Sequence, residues 1–258
     1  MRRITSTSLL AAAVLALAAA GAVADTLVGT GGADQLQGTP GPDQLYGEDG
    51  DDTLLGFAGS DFLEGGPGND SIDGGGGLDL MIGGTGGDSI DGGVGRDLVY
   101  AGAGDDLVLG GQGADTLFGQ DGSDRLFGGA GRDRIYASGG QDFVDAGSDD
   151  DILFADGTKI TLLAAGGDDI VTASGGDISV EGGGGHDRIR TGDGNDHVSG
   201  GPGEDSIATG AEKDRIEAAD GRRDRVNCGS GGNDTVTADR IDILRRCEHI
   251  TVPPPARR

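Results

Sequence analysis

An aspartate returns every nine residues through nearly half of this 258-residue chain. Neither an α-helix, with its period of 3.6, nor an alternating β-strand, with its period of 2, requires an acid at that interval. The run consists of Asp34, Asp43, Asp52, Asp61, Asp70, Asp79, Asp88, Asp97, Asp106, Asp115, Asp124, Asp133, Asp142 and Asp151. The repeat itself must therefore determine the architecture.

The residues around each acid follow one pattern, G-G-x-G-x-D-x-U-x, where U is aliphatic. It is clearest in GGPGNDSID (65–73), GGTGGDSID (83–91) and GGAGRDRIY (128–136). This is the calcium-binding nonapeptide of RTX proteins. The chain thus resembles the RTX, or hemolysin-type, calcium-binding β-roll family over most of its length. Residues 226–250 also resemble the terminal region of secreted actinobacterial-type members.

The resemblance implies an all-β fold, a right-handed parallel β-roll or β-solenoid with two nonapeptides per coil. Residues eighteen apart would then stack at the ~4.8 Å spacing of neighbouring strands. Each x-U-x segment would be a short strand whose middle side chain points inward. The predicted core residues are Leu36, Leu45, Leu54, Leu63, Ile72, Met81, Ile90, Val99, Val108 and Leu117.

The same resemblance implies that the turns hold several Ca²⁺ ions. Calcium prefers about six to eight oxygen ligands from carboxylates and backbone carbonyls, and glycine permits the positive φ angles that turn carbonyls toward one centre. Each ion would use turns one coil apart, and about fourteen such ions would bring the chain near neutrality. The predicted metal-binding residues are Asp34, Asp43, Asp52, Asp61, Asp70, Asp79, Asp88, Asp97, Asp106, Asp115, Asp124, Asp133, Asp142, Asp151, Asp169, Asp187, Asp196, Asp205 and Asp214.

The N-terminus has the features of a Sec signal peptide. Arg2 and Arg3 precede an apolar stretch, and an A-x-A cleavage site ends at Ala24. The alternative is a membrane anchor, but the apolar stretch is short for a ~20-residue span. We expect residues 1–24 to be removed, 25–219 to form the β-roll, and the protein to be secreted. The remaining 17 basic and 45 acidic residues give a net charge of −28. Without metal, that charge predicts an expanded chain.

The repeat is interrupted between residues 137 and 186. The positions expected to carry Asp hold Ile160 and Ile178, eighteen residues apart and hence on one side of consecutive coils. Nearby turns replace their first glycine by alanine, at Ala137, Ala146, Ala155, Ala164 and Ala173. This pattern predicts a metal-poor stretch. Two explanations stay open: drift in a redundant array, and an interruption shaped for a partner or a hinge.

The two sides of the predicted roll differ in their outward strand residues. The side that contains Asp43 carries an apolar stripe consisting of Tyr46, Phe62, Leu80, Ile82, Leu98, Tyr100, Phe118, Tyr136, Ile152, Phe154 and Ile170. Such a stripe is larger than the patches that soluble monomers usually expose. It predicts docking to a second copy, a cell-envelope polymer or another apolar surface, unless these residues merely favour strands.

Residues 220–258 contain degenerate repeats, a predicted C-terminal cap and a Pro-rich tail. Solenoids need a cap over their last coil. The chain has only two cysteines, and both lie in this segment. In an exported protein they predict a Cys228–Cys247 disulfide, with free thiols as the weaker alternative.

Other functions lack the necessary motifs. No metalloprotease, nucleophile-elbow or Walker motif is present, so we predict no enzyme activity. Basic residues are scattered among acids, which argues against nucleic-acid binding, and no segment after the signal predicts stable membrane insertion. Ice binding requires regular Thr or Asn rows, and the turn residues here are irregular. The sequence therefore predicts a secreted protein that folds on binding calcium. The alternative is an adhesive or polysaccharide-binding structural module that uses the apolar stripe.

Overall fold

The computed structural model describes residues 24–254, so the predicted signal segment lies outside the described part of the chain except for Ala24. The described residues form two compact units, which divide between Ser138 and Gly139. Throughout the described residues, the regular structure consists of β-strands. Each unit is a parallel β-solenoid with two ladders of short strands.

In the first unit the strands alternate between the two ladders as the chain proceeds. The ladder that follows the Asp43 side contains β1 (Thr26–Val28), β3 (Gln44–Tyr46), β6 (Phe62–Pro67), β9 (Leu80–Thr85), β12 (Leu98–Ala103), β14 (Thr116–Asp121) and β16 (Arg134–Gly139). The ladder that follows the Asp34 side contains β2 (Gln35–Gln37), β4 (Thr53–Leu55), β7 (Ser71–Asp73), β10 (Ser89–Asp91), β13 (Leu107–Gln112) and β15 (Arg125–Ala130). Three two-residue strands pair within the turns: β5 (Ala58–Gly59), β8 (Gly76–Gly77) and β11 (Val94–Gly95).

The second unit repeats this arrangement. Its Asp43-side ladder contains β18 (Ile152–Gly157), β20 (Ile170–Ser174), β22 (Arg188–Arg190), β24 (Ser206–Ala208), β26 (Arg225–Asn227) and β28 (Ile243–Arg245). Its Asp34-side ladder contains β17 (Phe143–Ser148), β19 (Lys159–Leu163), β21 (Asp177–Glu181), β23 (His197–Ser199), β25 (Arg215–Glu217), β27 (Thr235–Thr237) and β29 (His249–Thr251). Both ladders thus continue past residue 219, where the sequence predicts the end of the regular roll.

Strand register confirms the predicted coil of two nonapeptides. Ile90 pairs in parallel with Ile72 on one side and with Val108 on the other, each eighteen residues away. The middle residue of each strand points inward, as period-2 alternation requires. All ten predicted core residues are at most 2% exposed. The core is therefore a single column of aliphatic side chains behind each ladder.

The interrupted stretch in the second unit has a larger apolar core than the regular coils. The strand β19 is five residues long and buries both Ile160 and Leu162, and β21 similarly buries Ile178 and Val180. Ile160 and Ile178 face inward at the positions where neighbouring coils carry Asp. Apolar side chains thus replace carboxylates here, which favours drift compensated by packing over a hinge.

Candidate metal centre

The repeated aspartates form two buried rows, which we name by their first members. The Asp34 row and the Asp43 row each place one carboxylate per coil directly before a strand, except that the Asp34 row has Ile160 and Ile178 in two coils. All nineteen predicted metal-binding aspartates are at most 5% exposed. Burying so many carboxylates is costly unless each is hydrogen-bonded or paired with a cation.

One oxygen of each carboxylate is occupied by the neighbouring coil. The backbone N–H of Asp70 donates to Oδ1 of Asp88 at 2.8 Å, and the N–H of Asp88 donates to Oδ1 of Asp106 at the same distance. The pattern continues in the second unit, where the N–H of Asp169 donates to Oδ1 of Asp187 at 2.9 Å. These bonds fix the orientation of each carboxylate and link it to the next coil.

The second oxygen, Oδ2, points into the turn. Within residues 24–254, the following Oδ2 atoms are buried and accept no hydrogen bond: those of Asp52, Asp61, Asp70, Asp79, Asp88, Asp97, Asp106, Asp115, Asp169, Asp187, Asp205 and Asp224. Buried acceptors normally find a donor. A row of buried carboxylate oxygens without donors is a suitable set of ligands for cations.

Backbone carbonyls of the turns lie beside these oxygens. At Gly110, the first glycine of its repeat, an added Cβ would lie 2.9 Å from Oδ2 of Asp115 and 2.6 Å from the carbonyl oxygen of Gly128. Gly56 has the same neighbours, Oδ2 of Asp61 at 2.7 Å and the carbonyl oxygen of Gly74 at 2.6 Å. The first glycine thus leaves a small space bordered by a carboxylate oxygen and a carbonyl oxygen from the next coil.

Two further glycines of each repeat allow the turns to stack closely. Gly66 and Gly68 have φ angles of 110° and 152°, which glycine adopts without strain. A Cβ at either residue would overlap a carbonyl oxygen of the preceding coil, that of Glu48 or Gly50. Close stacking therefore brings backbone oxygens of adjacent turns near the carboxylate rows.

The electrostatics of the rows also favour the binding of a cation. Burial raises the pKa of Asp97 to about 7, and the adjacent carboxylates of Asp115 and Asp79 add to the rise. Burial likewise raises the pKa of Asp88 to about 6, with contributions from Asp106 and Asp70. The hydrogen bond from the preceding coil lowers each pKa but does not offset burial. A cation between the coils would favour the ionised form of both neighbours.

The residues present fit Ca²⁺. Across the described part of the chain, no three His, Cys, Asp or Glu side chains converge on one point. A site here would instead combine Asp Oδ2 atoms with glycine carbonyls, and an all-oxygen set of this kind suits a hard cation such as Ca²⁺. His186, His197 and His249 do not enter the rows, so a zinc site of nitrogen ligands has no support there.

The structure places four further acids in the rows beyond the predicted set. Asp224 and Asp242 extend the Asp43 row, since the N–H of Asp224 donates to Oδ1 of Asp242 at 3.0 Å. Asp234 extends the Asp34 row, and its N–H donates to Oε2 of Glu248 at 3.2 Å. Residues are inserted before Asp224 and Asp234, and the coil that ends at Glu248 is shortened, so the nine-residue count misses these acids. A search for D-x-U-x alone would have found Asp224 and Asp234 in DRVN and DTVT.

The turns of the interrupted stretch lack the space beside the first glycine. Ala146, Ala155, Ala164 and Ala173 are at most 5% exposed and stand where most regular repeats have that glycine, a position that Ala101 also holds in the first unit. Their methyl groups occupy positions equivalent to the space at Gly110. Asp169 nevertheless remains buried, and burial raises its pKa to about 6. The alanine turns are therefore poorer candidates for metal binding than the glycine turns.

The aromatic residues of the predicted apolar stripe stack on one another. The Tyr100 and Phe118 ring centroids are 4.8 Å apart, and those of Phe118 and Tyr136 are 4.6 Å apart, with nearly parallel planes. Tyr46 and Phe62 form a tilted pair at 5.3 Å. These side chains are half-buried because each covers the face of its neighbour.

A disulfide cross-links the C-terminal end of the second unit. Cys228 and Cys247 are bonded, with their Cα atoms 5.2 Å apart. Cys228 is buried after β26, and Cys247 lies between β28 and β29. Ile243 and Ile250 in these final strands are 43% and 50% exposed.

Comparison with known proteins identifies the repeat. The family model of the RTX calcium-binding nonapeptide repeat matches residues 28–56, 55–90, 82–117, 118–153 and 180–221. No curated protein matches the chain. A similar solved structure is that of a hyperactive, Ca²⁺-dependent, β-helical antifreeze protein from an Antarctic bacterium. It has 18% sequence identity and a TM-score of 0.52, with 90% of this chain and 83% of that chain covered. At this identity the likeness concerns the fold.

Proposed function

Because this chain belongs to the family of RTX calcium-binding nonapeptide-repeat proteins, we propose that it is an extracellular, non-enzymatic protein whose folding is coupled to calcium. The proposal rests chiefly on the rows of buried Asp Oδ2 atoms that accept no hydrogen bond within residues 24–254. Bound calcium would supply the positive charge that these rows lack.

The chain's own residues explain why binding and folding should be coupled. A carboxylate such as Asp88 is oriented by the N–H of Asp70, one coil away, so its position exists only when coils are stacked. The space at Gly110 also needs the carbonyl of Gly128, again one coil away. An unfolded chain offers neither arrangement. Ligand binding to the folded state alone stabilises that state by mass action.

Secretion is part of the proposal. A signal peptide at residues 1–24 and a low-calcium cytoplasm would keep the precursor unfolded until export, and external calcium would then fold it. The Cys228–Cys247 disulfide suits an oxidising compartment. No helix long and apolar enough to cross a membrane lies among the described residues.

A calcium titration of the chelator-treated protein tests this function. Far-UV circular dichroism should show a cooperative transition from coil to β-structure, and light scattering after size exclusion should show compaction. Magnesium at the same concentrations should not substitute, since it demands a stricter octahedral geometry. A protein already folded in chelator would contradict the coupling, and the acids would then serve mainly as a solvated surface.

The adhesive alternative has narrower support. In the second unit Phe154 and Ile170 are exposed on the Asp43-side ladder, at 39% and 36%. In the first unit the rings of Tyr100, Phe118 and Tyr136 stack on one another, so the faces that are in contact cannot bind a partner. A calcium-loaded protein that stayed monomeric at high concentration and bound no hydrophobic dye would count against docking through this stripe.

Antifreeze activity is not proposed for this chain. The outward turn position before each aspartate of the Asp34 row does not repeat one residue type. It holds Asp51, Asn69, Gly87, Asp105 and Ser123 in successive coils. A regular array of one hydrogen-bonding group is therefore absent from that edge of the first unit.

A further inference from the structure

One sheet face of the second unit carries a charge opposite to that of the whole chain. The face consists of the outward residues of β20, β22, β24, β26 and β28 in parallel register. We call it the arginine face; its residues are Ile170, Thr172, Arg188, Arg190, Ser206, Ala208, Arg225, Asn227, Ile243 and Arg245. It contains four arginines and no acid, although the chain has 45 acids and only 19 basic residues.

The four arginines are exposed and available. Arg188, Arg190, Arg225 and Arg245 all lie on the solvent side of their strands. Within the described residues, none of them makes an ion pair or a side-chain hydrogen bond. On the opposite ladder, by contrast, the guanidinium of Arg215 donates to Glu217 at 2.7 Å. The arginine face is therefore a set of cations without an internal partner.

The spacing of these arginines suits an extended anion. Arg188 and Arg190 lie two residues apart on the same strand, so their Cα atoms are separated by ~6.6 Å. Arg225 lies two strands away from Arg188, which separates their Cα atoms by ~9.6 Å. Arg245 extends the set one strand farther, in register with Asn227. Each guanidinium can bind a carboxylate or a sulfate in a bidentate manner. A linear polymer with repeated anionic groups can contact several of them at once and gain from multivalency.

We propose that the arginine face binds an acidic polysaccharide, a carbohydrate polymer that carries carboxylate or sulfate groups. Charge complementarity carries this assignment, because a face with four arginines that have no internal partner and with no carboxylate attracts polyanions. This site differs from the calcium rows and from the stacked aromatic residues of the first unit.

Two other occupants fit less well. A lipid surface would favour a continuous apolar area between the cations, but exposed Ile170 and Ile243 stand at opposite ends of the face, with the arginines between them. A second copy of the chain brings the same large negative charge, and its most regular acids are the buried aspartates of the rows. The experiment distinguishes both of these occupants from an acidic polysaccharide.

The proposal is tested by isothermal calorimetry with calcium present. The ligands are dextran sulfate and carboxymethyl-dextran, and neutral dextran gives the baseline. The test variant is R188Q/R190Q/R225Q/R245Q. The matched control is R96Q/R125Q/R134Q/R215Q, which removes four exposed arginines elsewhere and changes the net charge equally. We expect the test variant to lose affinity for both charged dextrans by about tenfold or more, and the control to change by less than about threefold.

Several results would overturn the proposal. Equal losses in both variants would mean a general charge effect, and equal binding of neutral dextran would remove the role of the anion. Tighter binding to vesicles of anionic phospholipid than to either charged dextran would assign the face to lipid. An arginine-dependent rise in mass by light scattering would assign it to a second copy.

Circular dichroism in calcium separates a binding defect from a folding defect. If the fourfold variant does not fold, R188Q/R190Q and R225Q/R245Q are tested separately, and each should weaken binding without changing the spectrum. Unchanged affinity in both folded pairs would also overturn the proposal. Because the assay is done on folded protein, this outcome is distinct from failure of calcium-coupled folding.

Discussion

At the scale of single residues, the two oxygens of each row aspartate have different environments. In Asp88, Oδ1 accepts the N–H of Asp70, whereas Oδ2 accepts no hydrogen bond from the described residues. Burial raises the pKa of this carboxyl to about 6. The residue thus contributes a structural hydrogen bond through one atom and a candidate metal ligand through the other. Substitutions can separate the two contributions.

The variant Asp88→Asn keeps an oxygen that can accept the Asp70 N–H but removes the buried charge. We expect it to stabilise the calcium-free fold by about 1 kcal/mol, because one desolvated anion is gone. It should also raise the calcium concentration at the folding midpoint. Osmolyte-induced folding in chelator measures the first effect, and a calcium titration measures the second.

Asp105→Asn is the matched control, since Asp105 is exposed and the net charge changes equally. It should leave both measurements nearly unchanged. If Asp88→Asn left the calcium midpoint where it was, Oδ2 of Asp88 would not be a ligand.

A second test at this scale is a substitution of the first glycine of a repeat. Gly110→Ala adds a methyl group between Oδ2 of Asp115 and the carbonyl of Gly128. Since φ at Gly110 is not positive, the effect is steric and should cost about 1–3 kcal/mol in the calcium-loaded state. Thermal unfolding in calcium would show it. Gly32→Ala is the control, because nothing lies within 4 Å of its added Cβ; equal losses in both variants would contradict the role of the space.

At the scale of elements, strands and turns stabilise the fold in different ways. Strands bury apolar side chains, whereas turns bring carboxylate and carbonyl oxygens close together. Regular coils bury one aliphatic residue per short strand, as Ile90 does in β10. In the second unit, β19 and β21 each bury two, and alanine methyl groups fill the adjoining turns. These coils have exchanged candidate calcium ligands for apolar contacts. Their stability should depend less on calcium than that of the glycine-rich coils.

Limited proteolysis at a calcium concentration below the folding midpoint should therefore cut outside residues 137–186 first. A protease of broad specificity that does not itself require calcium is needed, with cut sites identified by mass spectrometry. Buried apolar area stabilises a segment whether or not metal is bound. The variant I160D/I178D restores the carboxylates of the row and should move early cuts into this segment. Early cuts within 137–186 in the unaltered protein would support a hinge instead.

At the scale of the whole molecule, many row aspartates have raised pKa values, and their effects on the pH dependence of stability add together. Burial raises the pKa of Asp52, Asp61, Asp187, Asp205 and Asp214 to about 6, and that of Asp224 to about 7. Adjacent carboxylates contribute to each rise. An aspartate with a raised folded-state pKa binds protons more tightly when folded than when unfolded. Its contribution to stability is present at low pH and is lost as pH rises through about 6 to 7.

The calcium-free protein should accordingly gain β-structure as the pH falls from 7.5 toward 4.5. Protonation removes repulsion along the rows, in part replacing the effect of a cation. Calcium must compete with these protons, so its apparent affinity should fall over the same interval. Circular dichroism of metal-stripped protein and calcium titrations at several pH values measure the two trends. An affinity that did not change between about pH 7 and 5 would contradict carboxylate ligation by the rows.

The positions of both rows and the inward aliphatic residues were predicted from the sequence, because a nine-residue period and strand alternation act locally and repeat; the coil of two nonapeptides followed from the resemblance to RTX repeats. The sequence also predicted that the stretch with Ile160 and Ile178 departs from the rows. The prediction did not include Asp224, Asp234, Asp242 or Glu248, because inserted residues before Asp224 and Asp234 and a shortened coil before Glu248 shift the nine-residue count while the strands keep their pairing. Which carboxylate oxygen lacks a donor, how Tyr100 and Phe118 stack, and that Arg188 and Arg225 share an acid-free face were decided by the tertiary structure. These features depend on side chains from different coils, whose contacts arise only when the coils stack.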